Sequence, residues 1–192
     1  MVTRRRSGDR AGIPEAPAPS LLPALCASVR AASATNDRTT NHLVERLPDA
    51  LWTAVLPGAS RCTVRMLAGH IHNARGIWIK TLGRSHGVKV PASVERGRVS
   101  RSRLDRALES SGRGIAALLD PGLENGGQIP PTPAYVGRNL PLGVGHVLSY
   151  FVAHEGHHRG QIVMLARQLG HRLFRRGDSR ALPVGEALGG SD

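Results

Sequence analysis

The stretch Tyr150–Gly170, YFVAHEGHHRGQIVMLARQLG, decides how this chain is read. An ideal α-helix turns by about 100° per residue, so with His154 at zero, Val147 and Leu165 fall at about 20°, Phe151 and Leu169 at about 60°, and Val144 and Ile162 at about 80°. These residues draw an apolar stripe with His158, at about 40°, in its middle and His154 within it. The i, i+4 spacing stacks the two imidazoles on one face, where both can reach a single metal ion, as in HExxH helices. His157, about 300° round, lies off the stripe. The helix is expected over Leu142–Leu169, with Gly170 as its C-terminal cap.

A second stretch, Leu67–Lys80, LAGHIHNARGIWIK, reads the same way. With His70 at zero, Thr63, Leu67, Ala74, Ile77, Trp78 and Thr81 fall between about −20° and 80°, and His72 falls on the opposite face at about 200°. Periodicity therefore selects His70 as the inward histidine and rejects His72. One inward histidine is ordinarily a hydrogen-bonded core residue. Two or three in an aliphatic core each need a partner, and one metal ion satisfies them together. This helix is expected to start at Ser60 or Thr63 and to end at Leu82, before Gly83.

Outward from these segments, Leu25–Leu47 has partial helical spacing and is closed by Pro48. Leu51–Gly58 reads as a connection. Ser100–Leu119 carries Leu104, Leu108, Ile115 and Leu118 in register, with Pro121 and Gly122 as its stop. Residues 121–141 hold five prolines and four glycines, a loop too long for a bare connection. Four helices and no strand predict an all-α, four-helix bundle over residues 23–171. Residues 1–22, basic and proline-rich, and residues 172–192 read as disordered tails.

The chain has 192 residues, with 26 Lys and Arg against 14 Asp and Glu, a net charge of +12. No apolar run approaches the length of a membrane span. The basic start and the following LLPALCASV resemble a signal peptide, but Pro14, Pro17, Pro19, Asp9 and Glu15 break the pattern, so a cytoplasmic protein is expected. Cys26 and Cys62 make neither a disulfide scaffold nor a zinc ribbon. Lys80–Arg113 holds nine basic residues against three acidic ones, read either as a solvated surface or as a rim that attracts anionic ligands. No aromatic residue interleaves it and no helix-turn-helix or finger motif occurs, so nucleic acid is not the expected partner.

HEGHHRGQI resembles the C-terminal helix signature of the DinB/YfiT-like family of metal-dependent enzymes, and LAGHIHNARGIWIK, with Trp78 eight residues after His70, resembles that family's second-helix signature. The resemblance covers roughly residues 33–172 and is loose over 84–141. It implies a four-helix bundle holding one divalent metal through three histidines, which by motif position are His70, His154 and His158. Zn²⁺ or Ni²⁺ is the first choice of ion, with Fe²⁺ or Mn²⁺ as alternatives. Three imidazoles with no fourth protein ligand make an open, catalytic arrangement. Some proteins of this resemblance are S-transferases of low-molecular-weight thiols, so a thiol and an electrophile are the expected substrates. Metal-dependent hydrolysis is the nearest chemical alternative. A non-catalytic metal-binding or nucleic-acid-associated, damage-inducible stress protein is the other. Dimerisation through bundle faces would suit the family.

Around the ligands, Gln161, at about 340°, is placed to hydrogen-bond a ligand histidine from the next turn. His157 is a candidate proton shuttle at the mouth of the bundle. Glu155 reads either as an acceptor behind the ligands, and so a candidate catalytic group, or as a surface acid. Asn73 is a candidate for lining the mouth. Arg159 and Arg75 are candidate contacts for an anionic substrate, with surface placement as the ordinary alternative. Trp78 reads as core.

Overall fold

The computed structural model describes residues 21–58, 62–135 and 140–173. Most of the two expected tails lies outside them. Five α-helices follow in order: α1 Leu21–Glu45, α2 Asp49–Trp52, α3 Val64–Trp78, α4 Arg101–Glu124 and α5 Val144–Gln168. The protein is all-α. The four long helices form a bundle in which α1 and α3 each pack against both α4 and α5.

The local signals mostly act as expected. Thr63 caps α3 by accepting from Met66 N–H, and Ser100 caps α4 by accepting from Arg103 N–H. Gly170, with φ +80°, ends α5; the Gly170 and His171 N–H groups donate back to Arg167 and Ala166 carbonyls. That bond pair satisfies carbonyls the helix end would otherwise leave open, in a left-handed conformation that favours glycine.

Four boundaries differ from expectation. α1 begins at Leu21, inside the expected tail, because a bundle helix can extend past its last packed turn; Leu22 and Leu25 are exposed there. Asp49–Trp52 forms a short helix whose Leu51 joins the core. α3 ends at Trp78 and continues as a π-turn over Ile79–Gly83. α4 runs through Pro121 to Glu124. A proline removes only one donor there, and burial of Gly122 against Ile129 and Val144 holds the last turn in place. A Cβ on Gly122 would lie 2.4 Å from Val144 Cγ2. The loop that follows is closed at its base by bonds from Ile129 N–H to Leu142 O and from Val144 N–H to Gly127 O.

The core divides in two. Leu43, Leu47, Leu51, Leu67, Leu104, Ile162 and their neighbours fill one end, and Trp78, Leu82, Leu118, Val147, Phe151 and theirs fill the other. Between them lies a buried polar layer of Asn36, Thr40, Arg75, Ser111 and Glu155. Residues 88–99 form a strap that runs back along α3. His72 Nε2 bonds the Ala92 carbonyl at 2.9 Å, while the Asn73 amide donates to Val94 O and accepts from Val94 N–H. No described helix is long and apolar enough to cross a membrane.

Candidate metal centre

α3 and α5 run antiparallel, since His70 faces His154 and His158 while Trp78, two turns on, faces Tyr150 and Phe151. Their seam carries the three histidines. His70 and His154 direct Nε2 at each other across 3.2 Å, and one nitrogen from each of His70, His154 and His158 lies within 4.8 Å of the other two. A tetrahedral ion with bonds of about 2.0–2.1 Å separates its donors by about 3.3 Å. The His70–His154 pair is thus already at coordination spacing, and the third ring closes the set with a small movement.

The His158 ring is held from behind. Its Nδ1 bonds Gln161 Oε1 at 2.9 Å, so Nδ1 carries the proton and Nε2 is left as the donor towards the cluster. Tyr150 stacks nearly parallel on His154, with centroids 5.6 Å apart and planes at 13°. His157 is exposed, its ring 5.1 Å from that of His158. Burial above all, with His158, His154 and Arg96 adding to it, pushes the His70 pKa below its ordinary value. Burial and His158 do the same for His154, with Glu155 opposing. The shift favours the neutral form of both rings, the form in which imidazole coordinates. The donor set fits one borderline divalent ion with a position left for a ligand from solution.

The cluster is half-buried and does not sit at the bundle's centre, which corrects the expectation from the stripe. Leu148 and Ala166 are also buried and, at about 120° from His154, move the centre of the stripe towards Glu155. On α3, buried Val64, Ile71 and Ala68 move it towards Arg75. These two charged residues, 1% and 2% exposed, fill the inner side of the seam. Surface placement of Glu155 and Arg75 is thereby overturned. Arg75 donates to both Glu155 oxygens at 2.8 and 2.7 Å, to Asp37 on α1 at 2.7 Å and to the Leu108 carbonyl on α4. Burial opposes the Arg75 charge, but Glu155 and Asp37 outweigh it and raise the pKa. Asn36 and Thr40 also donate to Glu155.

The remaining candidates separate. Arg159 donates to Asn36 Oδ1 and Thr40 Oγ1 and is engaged on the inner side, which removes it from the mouth. Asn73 spends its amide on the strap. His72, rejected as inward, is 1% exposed, because the strap gives α3 a second covered face that periodicity around one core does not reveal. Trp78 packs in the core between Tyr150 and Phe151. Sequence reasoning missed Tyr150, although its i−4 relation to His154 places the two rings side by side, and missed Asp37, Asn36 and Thr40, which no spacing links to α5.

A family model described as the DinB family matches residues 29–174. No curated protein and no solved structure matches the chain.

Proposed function

The chain belongs to the DinB family, and on that premise we propose that it is a metal-dependent S-transferase in which His70, His154 and His158 hold one divalent ion. The observation that carries this reading is the convergence of three imidazoles on a half-buried seam, one of them oriented by Gln161. A bound ion would supply Lewis acidity, lowering the pKa of a thiol offered to the open position. Zn²⁺ and Ni²⁺ suit three imidazoles and a sulfur best, and Fe²⁺ or Mn²⁺ would be weaker choices.

The protein's own groups divide the remaining work. His157, exposed beside His158, takes the thiol proton and passes it to solvent. The Tyr150 ring, flat against His154, walls one side of the site. The sulfur then forms a bond to the electrophilic carbon. The bond from that carbon to its leaving group breaks with the electron pair, and the leaving group takes a proton from solvent. Glu155 has both oxygens engaged by Arg75, so it serves the site by fixing α5 against α3 and not by touching substrate.

The test begins with metal content of the purified chain beside a His154→Ala/His158→Ala double variant. About one divalent ion per chain, lost in the variant, is expected. The loaded protein should then consume thiol only when an electrophile is supplied, and His158→Ala should abolish that turnover. Unchanged turnover in His158→Ala would overturn the reading, and product formation without thiol consumption would replace it with hydrolysis.

A further inference from the structure

The basic segment does not surround the site evenly. Arg98 pairs with Glu95, and Arg101 is taken by Asp49 and the Val44 carbonyl. Arg96 differs in both position and partners. The strap crosses α3 in the order Ala92 at His72, Val94 at Asn73 and then Arg96 at Gly69, the residue before His70. The contact with Gly69 is close because glycine has no side chain. A Cβ there would lie 3.2 Å from Arg96 Cγ and 3.5 Å from Arg96 Cα. The strap is anchored on both sides of this crossing by buried Val94 and Val99. Arg96 is nevertheless exposed, and no hydrogen bond or ion pair among the described residues engages it.

A fixed backbone carrying an uncommitted guanidinium beside a ligand cluster is an arrangement for recognising an anion. We propose that Arg96 is the specificity-determining residue of the histidine site and that the thiol taken there carries a carboxylate, which the Arg96 guanidinium pairs. One guanidinium matches one carboxylate in charge and in fork geometry. The sulfur end of the same molecule is then directed at His70, His154 and His158. This rests on the thiol reading of the site, and its test separates the two.

The test is calorimetric binding to the zinc-loaded full chain, wild type beside Arg96→Gln and Arg96→Lys. Three probes are compared: mercaptosuccinate, with sulfur and carboxylates; 1-thioglycerol, with sulfur and no charge; and succinate, with carboxylates and no sulfur. Mercaptosuccinate is expected to bind most tightly to wild type and to weaken about tenfold or more in Arg96→Gln, as for the loss of a charge-assisted bond. Arg96→Lys should keep part of the affinity, and 1-thioglycerol should not respond to either change. Arg96 is exposed, so neither variant threatens the fold. If both thiols bind and Arg96→Gln leaves mercaptosuccinate unchanged, the Arg96 proposal is overturned while the thiol reading stands. If succinate binds as well as mercaptosuccinate, both weaken in Arg96→Gln and 1-thioglycerol does not bind, Arg96 is upheld and the thiol reading falls. If neither dicarboxylate binds wild type, the Arg96 proposal is overturned.

Discussion

Arg75 on α3 grips both carboxylate oxygens of Glu155 on α5, at 2.8 and 2.7 Å, one residue along the chain from His154. The pair lies at the bundle's centre, and the histidine cluster lies on the outer side of the same seam. The rotation of α5 that satisfies Glu155 therefore also sets where His154 and His158 point. Removing one member of such a pair leaves an uncompensated buried charge and costs about 3–5 kcal/mol, whereas replacing both with apolar residues can be nearly neutral. Arg75→Met is expected to lose stability on that scale, and Arg75→Met/Glu155→Leu to recover most of it. Urea unfolding of the two variants checks this. Additive losses would show that the pair does not act as a unit.

Gln161 tests the orientation of His158. Gln161→Leu removes the acceptor for Nδ1–H and frees the ring to rotate. Metal affinity should fall about 10–100-fold, with helix content unchanged. Competition with a chromophoric chelator measures the affinity, and circular dichroism the fold. An unchanged affinity would mean that α5 alone orients the ring.

Metal should stabilise the folded chain by mass action. An ion present at about 100 times its dissociation constant adds about 2.7 kcal/mol, which appears as a rise in melting temperature. Zn²⁺ and Ni²⁺ should each raise the melting temperature of wild type and leave His154→Ala/His158→Ala where it was. An equal rise in both proteins would place the ion elsewhere.

The metal-free protein should weaken in mild acid. The folded pKa values of His70 and His154 lie below their ordinary 6.5. As pH falls through about 6.5 the unfolded chain therefore takes up protons before the folded one, and stability drops. Above that window both states carry neutral rings and these groups add no slope. Unfolding free energies measured between about pH 7.5 and pH 5.5 should show the slope in wild type and a smaller one in His70→Asn/His154→Asn, with the remainder from His72, whose pKa burial also lowers. An unaltered slope would assign it to other groups.

The segment Asp37–Gly112 carries a second packing test. A Cβ on Gly112 would lie 2.3 Å from Asp37 Oδ1, and Asp37 in turn holds Arg75. Gly112→Ala should push the Asp37 carboxylate away and loosen the ionic layer, costing about 1–3 kcal/mol. Gly145→Ala, at a position with open space around it, is the control and should cost little.

The four long helices and the residues of the histidine cluster were legible in the chain, because a helix repeats its faces every 3.6 residues and a heptad-like row of apolar side chains exposes that repeat. Caps at Thr63, Ser100 and Gly170 are equally local, each a matter of one side chain or one backbone angle. The failures share one cause. Periodicity finds the face a helix buries on average, and assumes that the buried face is apolar and single. Arg75 and Glu155 break the first assumption, since each is tolerable inside only because the other is there, 80 residues away in sequence. His72 breaks the second, since the strap covers a face that a bare bundle would leave wet.

Local chemistry along the chain was thus enough to determine that this protein is a helical bundle and that His70, His154 and His158 share one seam. Only the tertiary structure decided which side of that seam they occupy, what fills the other side, and that Arg96 crosses α3 at Gly69, the residue before His70. Those facts depend on charge pairing and backbone contact between distant segments, and such pairings leave no period in the sequence from which they can be read.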